Sequence, residues 1–147
     1  MEFPELISDF AARHGVEGLA VEDGAAAIDV DGIAILLASS GGDLLATAEI
    51  GDPPPEGAAV FADLMLEANL DLDAFFAKSK ENERYVLVRR LSLASLDGEA
   101  FDAALEAFVN RAETWRKLLA DYRPAAEAAA AEKENSSAFG ANGFFQV

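Results

Sequence analysis

Apolar residues return every three or four positions in three stretches of this chain, and at alternate positions in the segments between them. Phe3, Leu6, Ile7, Phe10 and Ala11 make the first stretch. Pro4 suits an opening helical turn and Gly15 a stop, so the pattern predicts a short amphipathic helix. Ala26, Ile28 and Val30 then alternate with Ala27, Asp29 and Asp31, and Asp31-Gly32 offers a tight reversal into Ile33 to Ala38. Ser39 to Asp43, with Gly41-Gly42 inside it, makes a second reversal into Leu44 to Ile50. Three antiparallel strands follow from this arrangement.

Asp52-Pro53-Pro54-Pro55-Glu56-Gly57 is a stiff connector. Beyond it Val60, Phe61, Leu64, Met65 and Ala68 keep helical steps to about Leu70, while Leu66 and Leu70 fall on another side. A helix with more than one apolar face needs a second surface to cover it. Phe75-Phe76 lies in the polar run Asp71 to Lys80. Arg84 to Leu91 reads as a strand whose Val86, Val88 and Arg90 face opposite Tyr85, Leu87, Arg89 and Leu91. One or two late strands therefore join the sheet. Ser95 or Asp97 can cap a long third helix carrying Phe101, Ala104, Leu105, Phe108, Val109, Ala112, Trp115, Leu118, Leu119 and Tyr122 at helical period, and Pro124 kinks or ends it. The expected fold is α+β in the order α-β-β-β-α-β-β-α, two layers with an antiparallel sheet packed against helices. Residues 1–123 form that domain, and the Ala-rich residues 124–147 form a flexible tail.

Charge changes this picture more than length does. The 147 residues carry 27 acidic and 11 basic side chains, a formal charge of -16. Residues 1–77 hold 16 of the acids and a single basic residue, Arg13, whereas residues 78–147 are nearly balanced. Such a surface repels phosphate backbones and anionic bilayers, so neither nucleic acid nor membrane is an expected partner. It attracts basic, partly hydrophobic polypeptide, although the acids equally serve to keep an apolar protein soluble. No apolar run reaches 18 residues and the first ten lack a secretory signal pattern, which predicts a cytoplasmic location.

The residues that chemistry would need are scarce. With no cysteine and one histidine, His14, a thiol nucleophile and Cys- or His-based metal sites are excluded. His14 closes a helix, where its charge suits the dipole better than a catalytic role. Asp29 with Asp31, and Asp71 with Asp73, lack the loop and late Glu of a calcium site and read as turn formers. Gly41-Gly42 lacks the Lys-Ser or Lys-Thr of a phosphate loop. What remains is apolar surface in search of a cover: the second helix, Phe75-Phe76, and a tail motif of Phe144 and Phe145.

Several local motifs coincide with this element order. They are Leu6-Ile7-Ser8-Asp9-Phe10 before Gly15, Ile28-Asp29-Val30-Asp31-Gly32, and Ala48-Glu49-Ile50-Gly51 before the prolines. Leu64-Met65-Leu66-Glu67-Ala68-Asn69-Leu70 follows, and then Phe101 to Val109 leading to Ala112-Glu113-Thr114-Trp115-Arg116. Together they resemble the CesT/Tir-type class I chaperones of type III secretion over about residues 3–120. The resemblance implies a homodimer that binds the unfolded N-terminal region of a secreted effector and keeps it competent for export, with the secretion ATPase as a further partner. It implies neither enzyme activity nor a cofactor. Carried onto this sequence, it places the dimer contact at Phe61, Leu64, Met65, Ala68, Asn69, Phe75 and Phe76, and effector contacts at Leu6, Phe10, Ile28, Ile35 and Leu45. A dimeric adaptor or regulator of the same fold with no part in export remains the alternative, and a small carboxylate hydrolase a third reading.

Overall fold

The computed structural model describes residues 1–123; the tail that follows, with Phe144 and Phe145, lies outside them. Helix α1 spans Phe3–His14, strands β1, β2 and β3 span Ala25–Val30, Ile33–Ser40 and Asp43–Gly51, and α2 spans Ala58–Ala68. Strands β4 (Phe75–Lys78) and β5 (Tyr85–Ser92) follow, then a single 3-10 turn and helix α3 over Gly98–Ala120. This is the α+β order anticipated from periodicity, with both late strands present. The strands form one antiparallel sheet ordered β1-β2-β3-β5-β4.

Local chemistry explains the boundaries. Glu2 and Glu5 make a reciprocal capping box at the start of α1, and Gly15 ends that helix in the left-handed conformation at φ 65°. Asp31-Gly32 and Gly41-Gly42 each close a two-residue hairpin with positive φ at both positions, the geometry that matches strand twist. Asp97 caps α3, its carboxylate accepting the Ala100 N–H at 2.8 Å.

All three helices lie on one face of the sheet. Ile28, Ile33, Ile35, Leu37, Leu44, Ala46, Ala48, Tyr85, Leu87 and Phe76 point towards them and share one core with Leu6, Ile7, Phe10, Phe61, Phe101, Phe108 and Val109. Phe61 anchors α2 in that core. It stacks on Tyr85 and meets Trp115 and Tyr122 edge-on, at centroid distances of 6.0, 6.0 and 5.2 Å. Aromatic pairs of this kind contribute about 1 kcal/mol each beyond area burial. Leu118 departs from the apolar stripe of α3 and is exposed.

A polar clamp fixes α1 to the start of α3. Arg13 bridges Asp9 on its own helix and Asp102 on α3, and donates to the Gly98 carbonyl. His14 Nε2 lies 3.1 Å from the same Asp102 carboxylate. Partial burial pushes Asp102 up, but hydrogen bonds from Arg13 and His14 outweigh it and hold the carboxyl below its ordinary range. Hydrogen bonds from Arg84 and Asn82 likewise lower Glu49. Asp73 is raised by burial, yet Arg111 and Arg89 bring it down.

Two predictions follow from these contacts. At Gly57, where φ is 78°, a Cβ would lie 2.8 Å from the Tyr122 hydroxyl. At Gly41, with φ 57°, a Cβ meets nothing within 4 Å. Left-handed backbone alone costs about 1 kcal/mol for alanine. Urea denaturation should therefore show Gly41→Ala losing about that much and Gly57→Ala about 2 kcal/mol or more. Because Asp102, Glu49 and Asp73 all have lowered values in the fold, their stabilisation is complete above about pH 5.5, where the unfolded carboxylates are also ionised, and is lost as pH falls through the lowered values. Arg13→Leu should flatten this acid-side loss, measured as urea midpoints between pH 6 and pH 2.5, relative to the unsubstituted protein.

Candidate functional site

A groove of about 1000 Å³ runs along β1, between that strand, the α1–β1 connection and α3. Its floor is apolar, formed by Phe10, Ile28, Val30, Leu105 and Val109, and Val16 and Leu19 extend it along the connection. Around that floor stand Glu17, Glu22, Asp29, Asp31, Asp102 and Glu106. Asp102 is committed to Arg13 and His14, whereas the other five carboxylates make no ion pair among the described residues. The acidic bias of the first half of the chain is thus partly gathered here.

The same strand is an open edge of the sheet. Ala25 turns its N–H and C=O away from β2, exchanging both with Glu22 at 3.0 and 2.9 Å, and Gly24 accepts from Ser39 on the β2 side. Alternation then turns the main-chain groups of Ala27 and Asp29 outward as well, and among the described residues they find no partner. The opposite edge is treated differently. There Asn69 Oδ1 accepts the outward N–H of Phe76 at 2.8 Å, so the loop after α2 closes part of β4. An extended chain seeking a ladder meets an unblocked edge at β1.

The face of the sheet turned from the helices is the second uncovered surface. One cross-strand row runs Ala27, Leu36, Thr47, Val88, Phe75, and beside it lie Leu45, Val86 and Ala77. Leu36 and Phe75 are 50% and 43% exposed, and Leu36, Leu45, Phe75, Val86 and Val88 all stand apart from the core cluster. Ion pairs close the band at both ends: Arg90 to Asp43 at 2.8 Å, and Arg84 to Glu49 and Asp52 at 2.8 and 3.1 Å. The third surface is on α2, where Val60, Leu66 and Leu70 are 46%, 63% and 86% exposed beside Asp63 and Glu67.

The sequence-derived residues divide accordingly. Phe61, Met65 and Phe76 are enclosed by the protomer's own core, Leu64 and Ala68 are half-buried against it, and Asn69 holds β4. Phe75 reaches the outer sheet face. Leu6, Phe10, Ile28 and Ile35 face the core, although Phe10 and Ile28 also line the β1 groove, and Leu45 is on the outer face. Leu36, Val88 and Val60, which the sequence does not single out as contacts, are exposed or half-buried outside the core cluster. Strand parity carries the signal for the first two: if Ile35 points inward, Leu36 points outward.

For catalysis the arrangement offers little. The displaced carboxylates Glu49, Asp73 and Asp102 all move down, whereas a general acid needs the opposite shift. Asp29 and Asp73 are engaged by the Gly32 N–H and by arginines, and no group of three His, Cys, Asp or Glu among the described residues fits a metal ion. No helix among them is long and apolar enough to cross a membrane.

No curated protein matches this sequence. The crystal structure of the ExsC–ExsE complex contains a similar chain, 24% identical, with a TM-score of 0.69 over 79% of this chain and 92% of that one. The Yersinia pestis type III secretion chaperone SycH in complex with a fragment of YscM2 gives 23%, 0.63, 78% and 99%. Escherichia coli YbjN, described as a putative transcription regulator, gives 14%, 0.59, 79% and 90%. At these identities the likeness is one of fold. The model of the Tir chaperone protein (CesT) family, however, matches residues 5–116, most of the chain, and the protein belongs to that family.

Proposed function

We propose that this protein is a type III secretion chaperone that pairs with a second copy of itself and holds the unfolded N-terminal region of a secreted effector ready for export. The observation that carries the reading is the match to the Tir chaperone family in a chain whose sheet, among the described residues, is covered on one face only. An unfolded segment needs apolar surface for its side chains and an edge for its backbone. The outer face, with Leu36, Leu45, Val88 and Phe75, supplies the first, and β1 supplies the second. The HopA1–SchA chaperone–effector complex, a structural neighbour, supports the same reading. YbjN shares the fold under a different description, so the fold by itself does not choose between chaperone and adaptor.

Pairing is assigned to the free side of α2. Val60 and Leu66 on α2 and Leu70 just beyond it stand outside the core cluster of the described residues, and burying these side chains against a copy of the helix gains apolar contact even with Asp63 and Glu67 beside them. A dimer doubles the cargo-binding surface. One effector segment can then engage both halves, and the second contact forms at high effective concentration.

Two measurements test this. Light scattering of the full chain should give twice the protomer mass, and Leu66→Asp with Leu70→Asp should give the protomer mass with an unchanged circular dichroism spectrum. A monomeric unsubstituted protein would contradict the pairing. Removal of the gene should stop export of the polypeptide that co-purifies with the native protein, and Leu36→Asp with Val88→Asp should fail to restore it. Undiminished export would favour the adaptor.

A further inference from the structure

We infer that the groove along β1 receives an extended, basic segment of the partner protein, in which apolar side chains alternate with Lys or Arg. The inference rests on the proposed chaperone role and adds the chemistry that the groove accepts. Backbone pairing to Ala27 and Asp29 fixes the segment without regard to sequence. Alternation then sends every second side chain onto the floor made by Ile28, Val30, Leu105 and Val109, which demands apolar residues. The remaining side chains turn to the other side, where Asp29 stands, and the ends of the segment run past Glu22 and Asp31, with Glu106 overlooking the floor. These carboxylates have no cationic partner among the described residues. Bringing a neutral chain over them removes water and returns nothing, and an acidic chain is repelled. A lysine or arginine turned to the other side gives Asp29, and at the ends of the segment Glu22 and Asp31, a first cationic partner.

The test uses labelled synthetic peptides of about twelve residues, alternating Val, Ile or Leu with Lys, with Ser or with Glu, and follows binding to the full-length protein by fluorescence anisotropy. The Lys peptide should bind at least about tenfold more tightly than the Ser peptide at about 0.05 M salt, and should lose most of that advantage at about 0.5 M. The Glu peptide should bind most weakly. Combining Glu22→Gln, Asp29→Asn and Asp31→Asn should weaken the Lys peptide about tenfold and leave the Ser peptide unchanged. All three side chains are exposed and free of ion pairs among the described residues, asparagine at position 29 keeps the oxygen that accepts the Gly32 N–H, and asparagine tolerates the φ of 53° at residue 31, so the fold is retained. Equal affinity for the Lys and Ser peptides, or no effect of the triple substitution, overturns the inference. If the native effector binds with the same indifference to salt and to the triple substitution, the charge inference fails while the chaperone reading stands. Salt-sensitive binding of the Lys peptide by a protein that supports no export fails the chaperone reading alone.

Discussion

Among the described residues three helices cover one face of a five-stranded sheet and leave the other bare, and the rest of the fold is arranged around that inequality. The inward residues Ile28, Ile33, Ile35, Leu37, Leu44, Ala46, Ala48, Leu87 and Phe76 are in the core with Phe10, Phe61 and Phe108. The outward residues Leu36, Leu45, Val88 and Phe75 are apolar too, yet among the described residues they stand apart from the core cluster. A half-solvated antiparallel sheet normally alternates apolar with polar positions. Here the alternation is broken on the side where solvent would be, and that excess of apolar surface is the physical reason for expecting a second polypeptide.

Charge sets the terms on which that second chain is accepted. The basic residues of β5 and α3 are mostly spent inside the protomer, Arg84 on Glu49 and Asp52, Arg90 on Asp43, Arg89 and Arg111 on Asp73. The carboxylates around the β1 groove receive no such compensation. Self-repulsion among them costs the free protein stability. An incoming cationic segment relieves that cost as it docks. The same negative surface discourages promiscuous capture of acidic segments, so that apolar attraction and electrostatic exclusion act together on selectivity.

How much of this was legible in the residues depends on the length scale. Helix and strand order followed from period alone, because Asp31-Gly32, Gly41-Gly42 and Asp97 mark their turns and cap by local backbone chemistry. The second face of α2 was visible in Leu66 and Leu70. Which face docks inward was not, since Phe61 and Met65 are as apolar as Leu66 and only the packing of Trp115 and Tyr122 decides. In β2 the run Ile33 to Ala38 is apolar at nearly every position, so parity is hidden there, and Ile35 rather than Leu36 was selected as a contact. Long-range pairing also escaped the sequence. Nothing local says that Asn69 closes the β4 edge or that Ala27 and Asp29 are left open.

The account stands most directly on what happens to that open edge. Amide hydrogen exchange, followed residue by residue for the protein alone and for the complex purified with its bound polypeptide, measures it. The N–H groups of Ala27 and Asp29 should exchange rapidly in the free protein and be slowed by at least about tenfold in the complex, as expected of newly paired strand amides. Stable binding with both amides still exchanging at their free rate would contradict it.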